Sequence, residues 1–211
     1  MEKTAFLPVM AVFLLLFGCS SPQPEKNYYP LDSAQEIEFK YSMKIVSPQG
    51  NNEQVSVLAF KPGALRQSGS IDCKEFSFLF DRQEDHSECY FENKEGVFVI
   101  ERKFGLQSLS INPPMPLIKK PYVSGTQWEW SGKEGEIEST LSGRIETIEP
   151  IEIKGVSYDA LRVYSKNERS DGAKIVSTRW YAEGIGPIKE EIEITNSNYP
   201  GIKIEIKAEV K

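Results

Sequence analysis

Histidine is nearly absent. His86 is the only one in 211 residues. That excludes a zinc site built on several histidines, and any Ser-His-Asp triad would have to be assembled around this one side chain. No Gly-x-Ser-x-Gly elbow and no phosphate-cradling glycine loop occurs. Positive charge is in deficit: 25 Lys and Arg against 31 Asp and Glu leave a net charge of −6. A nucleic-acid binder needs a basic face to displace counterions, so that class is set aside. Long apolar runs are missing beyond residue 18, where nothing approaches the roughly 20 residues of a membrane-spanning helix. Missing too is the 3.6-residue apolar period of an amphipathic helix. Only 62–66 has room for a single helical turn.

What remains is enough for a core, with 39% hydrophobic and 11% aromatic residues. Chemistry is not evident in it. The run 81–88 surrounds His86 with acids but lacks the glycine of a calcium loop, and it reads as a solvated hairpin tip. Carboxylates are plentiful on polar strand faces, yet no pair stands out for glycoside hydrolysis. Neither catalysis, nor a metal, nor a cofactor is expected.

The amino terminus reads as an address. Residues 5–17 are an uninterrupted apolar run of 13, too short to span a bilayer and suited to the core of a secretory signal. Leu16, Phe17, Gly18 and Cys19, followed by Ser20 and Ser21, resemble a bacterial lipobox. That resemblance implies cleavage of 1–18, a diacylglycerol on the Cys19 sulfur and acylation of the new amino group. Several acyl chains anchor stably where one would be marginal. Ser20 after the cysteine resembles the outer-membrane sorting class. Cleavage removes one Glu and one Lys, so the net charge stays at −6. Residues 19–27, rich in Ser, Pro and polar groups, read as a tether, and 28–211 as a single domain.

That domain has the alternation of antiparallel β-structure. In 36–46, Ile37, Phe39, Tyr41, Met43 and Ile45 share one face while Glu and Lys dominate the other. In 201–211, Ile202, Ile204, Ile206, Ala208 and Val210 do the same. One packed face and one wet face follow. Further strands are predicted at 54–61, 71–80, 88–92, 97–104, 126–131, 136–148, 157–166, 173–182 and 187–195. The expected fold is an all-β meander of about ten strands, forming a sandwich or an open half-barrel. Pro113, Pro114 and Pro116 mark 112–117 as an extended connector rather than a strand. The lead-ins at 30–39 and 121–130 echo one another, as do Tyr90-Phe91 before Glu95-Gly96 and Trp180-Tyr181 before Glu183-Gly184. Offsets near 90 residues point to two pseudo-repeats, 28–111 and 121–210; chance similarity between strand lead-ins is the alternative.

These same residues carry a family likeness. Tyr28 to Leu31, Pro121 to Trp130, and Arg179 to Lys189 with its Trp-Tyr-Ala-Glu-Gly-Ile-Gly hairpin resemble a family of uncharacterised bacterial periplasmic lipoproteins. This chain has Ala34 and Glu183 where that family has Gly and Pro. The family is similar in shape to lipoprotein-carrier half-barrels, which hold acyl chains. The resemblance implies a lipid-anchored envelope protein with no agreed activity.

Trp128 and Trp130 lie two apart, hence on one strand face. They are either core or, with Trp180, a ligand-facing aromatic set. Gly184 and Gly186 permit positive φ in a tight turn. Cys73 and Cys89 are an even pair in an oxidising compartment, and closing their loop would stabilise by roughly 3 kcal/mol. Phe76, Phe78 and Phe80 take the core face, which puts Cys73 on the other. The leading expectation is a non-catalytic binding or envelope-assembly module, tethered to the outer membrane by its N-terminal lipid, with an unknown envelope protein as partner. The alternative is a carrier or sensor that shelters an acyl chain or other apolar ligand in the concave sheet face. A deep apolar cavity would favour the second.

Overall fold

The computed structural model describes residues 26–211; the signal 1–18, Cys19 and the tether through residue 25 lie outside the described residues. Twelve strands follow one another among the described residues, without a helix: β1 (Ile37–Ser47), β2 (Gly50–Ser68), β3 (Ile71–Phe80), β4 (Gln83–Asn93), β5 (Gly96–Phe104), β6 (Gln107–Lys119), β7 (Gln127–Glu134), β8 (Ile137–Ile153), β9 (Val156–Arg169), β10 (Ala173–Ala182), β11 (Gly186–Asn196) and β12 (Lys203–Val210). Each pairs antiparallel with the next. β1 then pairs with β12, from Phe39 opposite Val210 to Val46 opposite Lys203, and the sheet closes into a barrel.

The all-β antiparallel meander therefore stands, but the sandwich or open half-barrel of about ten strands is corrected to a closed barrel of twelve. Closure removes the two unpaired edges an open sheet would leave. The strand overlooked in the sequence is β6, because its prolines read as a connector. They are tolerated because β6 pairs with β7 only at Ile111–Glu134 and Asn112–Lys133, so the later residues need donate nothing on that side. Towards β5 the register shifts twice, near Phe98 and between Val99 and Glu101, which lets the strand pass its prolines. The run 81–88 is corrected too. Asp81 and Arg82 both have positive φ, 47° and 70°, which makes a two-residue turn that matches strand twist. β4 resumes at Gln83, and His86 is carried into the barrel wall rather than left on a tip.

Side chains alternate in and out around the barrel. Glu38, Lys40, Lys207 and Glu209 point outward and are exposed, whereas Phe39, Tyr41 and Ala208 point inward and are buried. A barrel that spans lipid has the opposite arrangement, and outward charges would be penalised there. The interior packs around an aromatic hub. Tyr29 meets Phe60, Phe76, Tyr90 and Tyr181 at ring-centroid distances of 5.3 to 6.3 Å.

Cys73 and Cys89 form a disulfide, with their Cα atoms 5.6 Å apart. The parity that takes Cys73 away from the phenylalanines does the same for Cys89, since Glu88 and Tyr90 face inward. Both sulfurs meet on the outer face, buried with Ile100 and flanked by Ile71 and Phe91. Glu75 opposes Cys89 directly, so the bridge runs along the diagonal. Replacing both cysteines with alanine is expected to lower the unfolding free energy by roughly 3 kcal/mol, read from denaturant melts. A change below about 0.5 kcal/mol would show that the hairpin holds itself without the bridge.

The twelve strands fall six and six on either side of the connection 120–126. Phe39 and Trp130 face inward on the first strand of each six, and Tyr90 and Tyr181 on the fourth.

Candidate functional site

The two ends of the barrel differ. At the end where β1 begins, the residues 26–31 are folded into the opening. Tyr28 and Tyr29 are fully buried there, and Tyr28 meets the Tyr122 ring edge-on at 5.6 Å. The β10–β11 turn holds this segment in place. Gly184 (φ +77°) donates its N–H to the Asn27 carbonyl at 2.7 Å, and Gly186 (φ +102°) lies against the Pro30 ring. Lys26 pairs with Glu183 at 3.2 Å and Asp159 at 3.7 Å. Lys26 and Asn27, assigned to the tether by composition, thus belong to the folded body.

The other end is open. Successive inward rows run across β1, β12, β11 and β10, set by direct strand pairing. Nearest the open end come Ile45, Ile204, Ile194 and Ile175. The next row holds Met43, Ile206, Ile192 and Ser177. The third holds Tyr41, Ala208, Glu190 and Arg179. The isoleucines point into the barrel yet are only half-buried, so they line a space and do not fill it. That space includes a cavity of about 300 Å³, lined by Ile175, Ile192 and Ile206, by Phe78 and Phe80 on the opposite wall, and by Tyr29 as its floor; Ile45, Ile194, Ile204 and Met43 lie outside its lining. His86 sits in this wall, stacked on Phe78 at 4.3 Å, with Phe104 beyond it at 5.4 Å. Its Nδ1 is 2.8 Å from Asp85.

Charged and polar groups stand among the apolar walls, on both sides of the cavity. On one wall, Arg102 lies between two acids: its Nε donates to Glu88 and its Nη1 to Glu134, each at 2.5 Å. The Tyr90 hydroxyl donates to the same Glu88. Burial alone would raise the Glu88 carboxyl, but Arg102, His86 and Tyr90 outweigh it and the net shift is downward. Arg169 extends the chain of charges, pairing with Glu134 at 3.3 Å and Asp171 at 2.8 Å. On the other wall, Arg179 donates to Glu190. Tyr181 lies beside it, and burial lifts its phenol to about 12 despite the neighbouring cation. Ser165 and Ser177 share a hydrogen bond of 2.8 Å. Apolar walls with a few convergent polar groups are the usual make-up of a small-molecule site, and the volume falls at the lower end of that class.

The residues picked out in the sequence lie elsewhere. Trp128 and Trp130 are 6% and 8% exposed, with Gln127 and Glu129 facing water. Trp128 packs over Gly143 and Trp130 over Gly132, where any Cβ would come within about 2.5 Å of the ring. The Trp130 indole donates to the Pro113 carbonyl at 3.0 Å. Trp180 is on the outer face, its indole donating to Glu149 at 2.6 Å, with Lys189 over its ring at 4.5 Å. None of the three borders the cavity. Cys19 lies outside the described residues. Sequence reasoning missed the cavity's own polar groups, Glu88, Arg102, Arg179 and Glu190. A signal was present: each is a charged residue at a position where strand alternation calls for an apolar one.

No family model and no curated protein matches the chain. Among solved structures, it is similar to a "putative lipoprotein" from Parabacteroides distasonis ATCC 8503, determined by crystallography at 2.70 Å, with 11% identity and a TM-score of 0.39. The match covers 90% of this chain and all of the other.

Proposed function

We propose that this chain is a lipid-anchored envelope protein that binds a small apolar or amphiphilic ligand inside its barrel, without catalysing a reaction on it. The observation that carries this reading is the half-buried isoleucine lining of an open-ended cavity. Leaving that much inward apolar surface unfilled forgoes burial worth roughly 25 cal/mol per Å², a sacrifice that a ligand would recover. The carrier or sensor thus becomes the preferred role, ahead of an assembly module with a filled core and a flat outer sheet. The anchor rests on the lipobox-like 16–19 and the likeness to periplasmic lipoproteins, with the outer membrane as the destination that Ser20 favours.

The tether gives the barrel a direction. From Cys19 to Lys26 is seven residues, at most about 25 Å of extended chain. Lys26 sits at the plugged end, so that end faces the membrane and the open end faces away. The ligand would enter from the aqueous compartment, not directly from the bilayer.

The protein, released with its anchor from native membranes, is expected to carry one small molecule per chain in native mass spectrometry, or to take up one equivalent of 1-aminoanthracene. Ile192→Trp, which fills the cavity, should abolish both while shifting the melting temperature by only a few degrees. An empty wild-type chain that takes up no probe would overturn the reading.

A further inference from the structure

Two arginines line the cavity, Arg102 and Arg179, and they are not equally satisfied. Arg102 holds two carboxylates, Glu88 on its Nε edge and Glu134 on its Nη1. Arg179 holds Glu190 on its Nε edge, has a hydrogen bond with the Tyr181 hydroxyl and feels the charge of Glu88, but among the described residues no second acid is in ion-pair contact with it. A guanidinium offers five N–H donors in a fixed fork and can serve two carboxylates at once, as Arg102 does here. Arg179 keeps 31% of its side-chain surface accessible although it points into the barrel and borders the cavity. The hydroxyls of Ser165 and Ser177 border the same space. Between Arg179 and the open end come only apolar rows on β1, β12 and β11, with Ser177 the one polar member on β10.

We infer that the ligand is a single-chain carboxylate, with its head on Arg179 in the place that Glu134 takes on Arg102, and its tail along the isoleucine rows towards the open end. This rests on the reading of the cavity as a ligand site. The separation fixes the scale. Arg179 to Ile175 is four residues, about 13 Å along the strand, which an extended chain of about ten or eleven carbons matches, each ~1.5 Å bond advancing the zigzag by roughly 1.25 Å. The head meets the cation inside the barrel, where the bound tail would exclude water and so strengthen a charge-assisted hydrogen bond. The tail leaves Ile175, Ile192 and Ile206 less exposed than they are in the free protein.

The test is equilibrium binding of radiolabelled decanoate to the full anchored chain in lipid nanodiscs, with empty nanodiscs as the blank. One saturable site is expected, with methyl decanoate and decylamine at least about tenfold weaker. Arg179→Met should weaken decanoate by about 10- to 100-fold and leave methyl decanoate within about threefold. That variant strands Glu190, so Arg179→Met/Glu190→Met, which removes the whole pair, is measured beside it and should show the same loss with a wild-type-like melt. Equal binding of decanoate and its methyl ester, unmoved by the double variant, would overturn the carboxylate assignment while keeping the cavity as an apolar site. Binding of none of the three to a wild-type chain that also takes up no 1-aminoanthracene would overturn the cavity reading itself.

Discussion

Replacing Arg102 with methionine is expected to destabilise the barrel by about 3–5 kcal/mol at pH 7. Glu88 and Glu134 are 10% and 5% accessible, and Arg102 is what both lean on. Glu134 would keep Arg169. Glu88 would keep the Tyr90 hydroxyl and the more distant charges of His86 and Arg179, but would lose its largest opposing charge and its only ion-pair contact. The pH dependence separates this cause from lost packing. In the wild type the Glu88 carboxyl is held below its ordinary value of 4.5, so its contribution is fully present above about pH 4.5 and is lost only as pH falls through the lower, folded value. In the variant burial is no longer outweighed, and the folded value rises above the unfolded one. The charged form is then penalised at neutral pH, and the penalty fades on acidification. The stability gap between wild type and variant should therefore narrow from pH 7 towards pH 4.5. Arg102→Met/Glu88→Leu should recover more than half of the loss at pH 7. A gap below 1 kcal/mol, or one that does not change with pH, would mean that the pair contributes little beyond its volume.

Much of the architecture could be read from the chain because period-2 alternation is a local property. In β1 and β12 each inward residue sits two from the next, and the alternating charges tell the two faces apart without reference to any partner. Closure is not local. It depends on Phe39 meeting Val210 across some 170 positions of sequence, and the same pattern would suit the edges of an open sheet. β6 was hidden for a different reason. Pro113, Pro114 and Pro116 remove three donors, and only the shortness of the β6–β7 pairing shows that those donors are not needed. The disulfide is half legible: the phenylalanines of β3 put Cys73 on the outer face, and only the inward Glu88 and Tyr90 of β4 show that Cys89 shares it, so that the sulfurs meet there.

The site was less legible than the fold. Glu88, Arg102, Arg179 and Glu190 each stand in strands where charged residues are common on the wet face, so their presence raised no alarm. Only their position in the alternation marks them: Glu88 is two from Tyr90 on β4 and Arg179 two from Tyr181 on β10, with Arg102 and Glu190 directly opposite them on β5 and β11. The twelve strands divide six and six, with Phe39 and Trp130 facing in on β1 and β7. The rings on β7 are the larger, and two glycines, Gly143 on β8 and Gly132 on β7 itself, make room for them.

Those glycines carry the last expected result. Trp128 and Trp130 each remove some 150–250 Å² from solvent when buried. Trp128→Ala should cost about 3–5 kcal/mol, a large share of a domain's total stability, and lower the melting temperature by about 6–20 °C for a body of this size. Gly143 tests the same packing from the other side. A Cβ on residue 143 would lie 2.3 Å from Cε2 of Trp128 and 2.5 Å from Nε1, so the indole must move out of a filled core. Overpacking of that kind costs about 1–3 kcal/mol, and Gly143→Ala is expected in that range although alanine suits a strand better than glycine does. The two changes should not add. Once the indole is gone, the new methyl has room, and Gly143→Ala/Trp128→Ala should be about 1–3 kcal/mol more stable than the sum of its parts. A surface platform for a ligand predicts otherwise, with both variants melting within a degree or two of wild type and no coupling between them. Thermal melts of the two single variants and the double variant decide the point, and strict additivity would show that Trp128 does not rest on Gly143.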